Sequence, residues 1–297
     1  MLNQLYFNPA FAGNTPYTRI MGGYRNQWPG LGNAFVTYYA SFDKYVNLVK
    51  GGVGIGMSRD MQGNNVFSKT SLDLIYSFPV EFNDKISANL GLQGSLVQKN
   101  INGSLLVFED QNPYQTPSIT ENIPNQSKIF PDFSAGISFL YNEQYQMNLS
   151  VHHLNTPNEM TGSTYVYSSQ RRFTAQILGQ YPSKRKKAVD DKIILRPGIM
   201  VQLQRPYNFF GWGSNVLFSS FTGGLWFRNN ASLTFNSVIL LAGYTISGLS
   251  IFYSYDSWFP KNYQTVKNYG AHEVTFIYLF QYNDPKKKMR TIKCPKF

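Results

Sequence analysis

Three His, one Cys and 16 Asp+Glu in 297 residues are a small inventory for acid–base, nucleophilic or metal chemistry. His152 and His153 are neighbours. On a strand, neighbouring side chains point to opposite walls, so this pair cannot chelate one metal ion. His272-Glu273 comes nearest to a general-base pair, but no Ser, His and acid assemble into a nucleophilic site around it. Glu81/Asp84, Glu109-Asp110 and Asp190-Asp191 stand in loop-like segments without a convergent His. Gly52-Val53-Gly54-Ile55-Gly56 would read as a nucleotide loop only if a helix opened after it. Met57-Ser58-Arg59-Asp60 continues an alternation instead, and Gly52, Gly54 and Gly56 share one face. That implies close packing in a lumen or a strand bend. Cys294 is a lone thiol in a basic tail, so neither an internal disulfide nor a Cys-based metal cluster is available. No catalytic, metal-binding or cofactor-binding residue emerges, and a non-enzymatic protein is expected.

The elements around these residues have a period of two. Ile86, Ala88, Leu90, Leu92 and Leu96 interleave with Ser87, Asn89, Gly91, Gln93 and Ser95. Ile193, Leu195, Ile199, Val201 and Leu203 do the same, as do Leu249, Ile251, Tyr253 and Tyr255. Val274, Phe276, Tyr278, Phe280 and Tyr282 close the series. Each segment therefore has one apolar wall and one mostly polar wall, the signature of a strand. Charged residues make up 14% and aromatics 16% of the chain. Its longest apolar run, Val238–Ala242, is far short of a spanning helix, which needs roughly 18 apolar residues. The polar partners are Ser, Asn, Gln, Gly and Thr more than Lys and Glu, which suits a lumen better than the outer face of a soluble sandwich. Aromatic residues near segment ends (Trp28, Tyr38, Tyr39, Trp226, Tyr255 and Trp258) fit two membrane-interface girdles. The fold expected is all-β: a transmembrane antiparallel β-barrel of about fourteen strands.

The expected strands run near 17–28, 34–46, 50–60, 67–78, 85–99, 130–141, 145–154, 172–181, 191–204, 213–221, 224–231, 237–246, 249–258 and 271–282. Long links then fall on one side: Asn100–Ile129, Asn155–Arg171, Arg205–Trp212 and Phe259–Gly270. Short turns at Asn142-Glu143-Gln144, Thr222-Gly223 and Ser247-Gly248 fall on the other. This asymmetry puts the long loops outside the cell and the tight turns in the periplasm. Residues 1–16 form an N-terminal segment, periplasmic or plugging the lumen. Residues 17–282 form the barrel, and 283–297 a basic tail. Tyr114, Pro117, Tyr165, Tyr167, Phe209, Phe210, Trp258 and Tyr263 are the candidate partner-binding residues of the extracellular loops. Rigid aromatic and Pro positions offer contact area at low entropic cost. Loop Asn100–Ile129 is read equally well as a recognition loop and as a lumen plug. Lys184-Arg185-Lys186-Lys187 is a solvated periplasmic turn or a docking surface for an acidic partner. The net charge of +11 lies in such clusters rather than along a helical face, which argues against nucleic acid. Met1-Leu2-Asn3-Gln4 lacks the charged head and apolar core of a secretory leader, so an envelope location implies that the leader has been removed.

The opening Tyr6-Phe7-Asn8-Pro9-Ala10-Phe11-Ala12-Gly13, followed by Arg25-Asn26-Gln27-Trp28, resembles the PorP/SprF-type membrane proteins of the type IX secretion system of Bacteroidota. Ala242-Gly243-Tyr244, Tyr253-Ser254-Tyr255-Asp256 and His272-Glu273 look like that family's closing strands. Within the motifs, Asn8, Pro9, Gly13, Arg25, Gln27 and Trp28 are the most specific positions. The resemblance implies an outer-membrane protein without a cofactor that serves export or surface attachment of one cargo, typically a large adhesin linked to gliding. Its implied partners are the cargo's C-terminal domain, periplasmic or lipoprotein components of the machinery, and membrane lipid with lipopolysaccharide. The alternative is a passive porin for small solutes, since fourteen strands enclose a lumen wide enough unless side chains or loops fill it.

Overall fold

The computed structural model describes residues 3–31, 35–106, 124–159, 168–182, 193–230, 235–259 and 270–280. Fourteen strands follow one short helix, α1 (Gln4–Phe7), and a 3-10 turn at Pro9–Phe11. The first seven are β1 (Thr18–Gln27), β2 (Phe35–Val46), β3 (Gly51–Gln62), β4 (Phe67–Asn83), β5 (Ile86–Ile101), β6 (Gln126–Tyr141) and β7 (Tyr145–His152). The others are β8 (Arg172–Gly179), β9 (Ile193–Gln204), β10 (Tyr207–Phe218), β11 (Phe221–Asn230), β12 (Phe235–Ile246), β13 (Leu249–Trp258) and β14 (Ala271–Phe280). Each strand pairs antiparallel with its sequence neighbours, and β1 pairs with β14, so the sheet closes with no free edge. No helix among the described residues is long and apolar enough to cross a membrane. Closure lets a sheet do so, because every backbone donor and acceptor is paired within the wall.

Burial alternates along the strands as the period of two requires. Leu90, Leu92, Leu96, Ile199, Leu203, Ile251, Tyr253, Phe276 and Tyr278 are exposed on the outer wall, while Asn89, Arg196, Ser254 and Thr275 are buried on the inner one. Aromatic pairs lie on the outer wall near both ends: Tyr24–Tyr38 and Trp212–Phe227 toward the long links, Phe221–Tyr244 and Tyr145–Tyr181 toward the short ones. Two residues expected in those girdles point inward instead. Tyr39 bonds to Thr275 and Glu273 inside the barrel, and Trp226 is buried with its Nε1–H donating to Asn215 Oδ1 at 2.9 Å.

The links sort by length as expected except for the β8–β9 link, 180–192, a long one on the short side, and one correction falls at β9–β10. Arg205–Trp212 is not a long loop. Gln204 faces Tyr207 across a tight turn, and β10 begins at Tyr207. Phe209 and Phe210 are therefore strand residues: Phe209 lies under Arg228 on the inner wall, and Phe210 faces outward. Likewise Thr222-Gly223 is not a turn. The turn is Ser219-Ser220, with Ser219 at φ 54°, and Thr222 and Gly223 lie within β11. Tyr114, Pro117, Tyr165, Tyr167, Tyr263, Lys184, Arg185, Lys186 and Lys187 lie outside the described residues, as does the tail 283–297 with Cys294.

Candidate functional site

The N-terminal segment runs inside the barrel, and its local structure follows from two Asn caps. Asn3 Oδ1 accepts from the Tyr6 N–H, and Asn8 Oδ1 accepts from the Ala10 N–H, which fixes the turn into Pro9–Phe11. Leu5, Phe11 and Ala12 form an apolar cluster with Ile75 of β4. The segment then seats on glycines. A Cβ on Gly52 would lie 2.0 Å from the Ala12 carbonyl oxygen. On Gly91 it would lie 2.1 Å from the Ala10 nitrogen, and on Gly136 2.1 Å from Asn8 Oδ1. Only a residue without a side chain permits this approach.

Polar contacts complete the seat. Asn8 Nδ2 donates to the carbonyls of Ile137 and Leu149, both at 3.1 Å. Ser77 Oγ donates to the Ala12 carbonyl, and Ser150 Oγ to the Phe7 carbonyl, each at 2.6 Å. Arg172 reaches the Tyr6 hydroxyl at 2.7 Å and stacks over its ring at 4.5 Å. The strongest tie is the ion pair Arg19–Asp43, two directly opposed residues of β1 and β2 that are 4% and 1% exposed. Arg19 Nε and Nη2 donate to the two carboxylate oxygens at 2.8 and 3.1 Å. Its remaining donors reach the Phe11 carbonyl and Gln4 Oε1, and Asp43 Oδ2 also accepts from the Gly13 N–H. One charge pair thus holds three points of the segment, and its hydrogen bonds offset the cost of burying it. Neither residue stood out in the sequence. The available signal was an opposite-charge pair at inward positions of neighbouring strands.

The segment packs on β1–β8 and leaves room beside β9–β14. Two cavities there share Gln4, Arg196, Asn215 and Leu241 in their linings, and the one nearer the short links measures about 270 Å³.

A second cluster crosses the closing seam. Arg25 donates to Glu273 at 3.2 Å and to Asp256 at 3.3 Å, and Arg228 donates to the same Asp256 oxygen at 3.0 Å. The Tyr39 hydroxyl reaches Glu273 at 3.1 Å. Arg25, Asp256 and Glu273 come from three separate motifs of the sequence, and the structure brings them together. Gln27 ends β1, and Trp28 follows at φ 58°, its ring 5.9 Å from that of Trp258. Trp258 ends β13 and donates to Asn236 at 2.9 Å, so it is a rim residue rather than a loop residue.

Glu273 faces inward, whereas His272 faces outward and bonds the Tyr253 hydroxyl. His152 faces inward. Because the Phe7 carbonyl can only accept, Nε2 carries the proton, and Nδ1 accepts from Ser134. His153 departs from the opposite-wall expectation. It lies one residue past β7 at φ 59°, which turns its ring inward onto Asp132. Among the described residues no group of three His, Cys, Asp or Glu is placed to hold a metal ion.

At the long-link mouth, Glu159 of the β7–β8 link bonds Lys99 at 2.8 Å and Lys69 at 3.6 Å, and it accepts from Ser169. Partial burial alone would raise its pKa, but these partners outweigh that and hold the carboxyl down at about 2.

A family model described as type IX secretion system membrane protein PorP/SprF matches residues 1–278. No curated protein sequence matches the chain. Among solved structures, CymD, a monoaromatic hydrocarbon channel, is 10% identical with a TM-score of 0.54, covering 95% of this chain and 94% of that one. The TodX deltaS2S3 mutant, also a monoaromatic hydrocarbon channel, is 8% identical with a TM-score of 0.50, covering 94% of each. At such identities the likeness shows the barrel fold alone.

Proposed function

Because the chain belongs to the PorP/SprF family of type IX secretion system membrane proteins, we propose that it is a non-enzymatic outer-membrane barrel that binds a secreted cargo. The cargo would be a large gliding or surface adhesin, held through its C-terminal domain during export and anchored at the cell surface. In this reading the long-link end faces outward and the short turns face the periplasm, where other components of the machinery make contact. The outer wall meets lipid and lipopolysaccharide.

One observation carries the preference for a binding role over a porin. The space that would conduct solutes holds residues 3–15, seated on Gly52, Gly91 and Gly136 and tied by Arg19–Asp43. A segment buried this closely against backbone is part of the wall's packing rather than a loose obstruction. A passive small-solute channel is the second reading, and the cavity of about 270 Å³ beside β9–β14 favours it. Affinity purification from native membranes in mild detergent, followed by planar-bilayer recording, separates the two. A secreted protein recovered in near-stoichiometric amount with a silent barrel supports the binding role. Recovery alone with robust conductance removes it.

A further inference from the structure

Three lysines stand in one row at the long-link mouth. Register pairs Lys69 with Lys99 and Lys99 with Lys128, on β4, β5 and β6. All three point into the barrel. Lys69 shares its face with Ser77, which holds Ala12; Lys99 shares its face with Gly91, which holds Ala10; and Lys128 shares its face with Gly136, which holds Asn8. Like charges directly opposite one another on a sheet are unfavourable, so closing the barrel does not account for the row. Asp60 of β3 extends it by one position beside Lys69, and Arg172 adds a further cation at the Tyr6 hydroxyl.

Glu159 does not come from a neighbouring strand. It reaches in from the β7–β8 link, whose two sides are joined by the bridge Asn158–Ser168 and by the Ser169 N–H to Pro157 carbonyl bond. The carboxylate lies on Lys99 and Lys69, whose side chains remain 27% and 35% exposed. We infer that the Lys69–Lys99–Lys128 row is a seat for an acidic segment of a protein partner, and that Glu159 is the chain's own occupant of that seat. Adjacent strands lie about 4.8 Å apart, so the row spans roughly 10 Å, and carboxylates at i and i+2 of an extended segment, about 7 Å apart, bridge its ammonium groups. Lipopolysaccharide phosphates would carry the same charge, but lipid meets the outer wall and the row faces inward. The inference rests on the reading above, in which the long-link end receives the cargo.

The test uses the purified full chain in detergent and a fluorescent hexapeptide of alternating Glu and Ser, read by anisotropy. Removing the internal competitor with Glu159→Gln is expected to tighten binding two- to fivefold, the range of one partly exposed ion pair. Lys99→Gln is expected to weaken it by a similar factor, and the triple Gln variant at 69, 99 and 128 to abolish it. Added salt weakens binding, and a Lys-Ser peptide does not bind. Because Glu159→Gln is expected to gain affinity, misfolding cannot imitate the result. Unchanged affinity in Glu159→Gln, or wild-type affinity in the triple variant, overturns the proposal. So does competition by lipopolysaccharide micelles that depends on the same lysines. No secretion component is present, so these failures reject the lysine seat alone, whereas loss of the secreted protein in native purification rejects the cargo reading.

Discussion

Gly91→Ala is the most direct perturbation of the N-terminal seat. The added carbon would lie 2.1 Å from the Ala10 nitrogen and 2.4 Å from the Pro9 carbonyl carbon, both backbone atoms that no rotamer change can move. Ordinary contact begins at 3.4 Å, so the segment must withdraw by about 1.3 Å. A movement of that size takes the Asn8 bonds to Ile137 and Leu149 from 3.1 Å beyond hydrogen-bonding range. Ser150 and Phe7, bonded at 2.6 Å, separate as well. Each buried polar group left without its partner costs about 1–3 kcal/mol, so two or three such losses amount to roughly 2–9 kcal/mol. Two assays read this: the unfolding midpoint, from the heat-dependent gel shift of the barrel, and maleimide labelling of a Leu5→Cys reporter. Leu5 is 3% exposed, so the reporter is protected in the parent chain and becomes reactive in Gly91→Ala. Gly223→Ala is the control, because nothing lies within 4 Å of its Cβ position, and it is expected to change neither readout. A Gly91→Ala barrel with the parent midpoint and a protected reporter refutes the close seating.

Other outcomes follow from the same contacts. Asp43→Asn leaves the buried Arg19 guanidinium without its counter-charge and is expected to cost about 3–5 kcal/mol of stability, read as a lower gel-shift midpoint. Glu159 has its folded pKa depressed from 4.5 to about 2, so its contribution is fully present above pH 4.5 and is lost as the pH falls through about 2. Infrared titration of the carboxylate band should show that component disappearing below the bulk carboxylates in the parent and absent in Glu159→Gln. His272→Phe removes only the outward bond to Tyr253 and is expected to leave partner recovery unchanged in native purification, with a stability loss of no more than about 1 kcal/mol.

The walls of the barrel were legible because each strand writes its two faces into alternate residues. The described members of the sets beginning at Ile86, Ile193, Leu249 and Val274 lie on the outer wall, where only the small Ala88 is covered by its neighbours. Turns with strong local chemistry, Asn142-Glu143-Gln144 and Ser247-Gly248, were legible too. The sequence reading failed where both faces carry the same kind of residue. In Tyr207–Trp212, aromatics occupy outward Phe210 and Trp212 as well as inward Phe209, which hides the period. Gly223-Gly224 has the composition of a turn but lies within β11, displaced from the real turn at Ser219-Ser220. The seat was only half legible. Glycines on one face signalled close packing, but which segment packs there depends on register across seven strands. The same holds for Asp256 and Glu273, both of which strand closure brings within 3.3 Å of Arg25. Local chemistry cannot convey a juxtaposition made by closing a circle.

Single-channel recording of the purified wild-type chain in a planar bilayer tests most directly whether this barrel works by holding a partner rather than by passing solutes. Near silence is expected, with stepwise conductance appearing only when residues 3–15 are deleted. Large, steady conductance steps from the intact chain would contradict it.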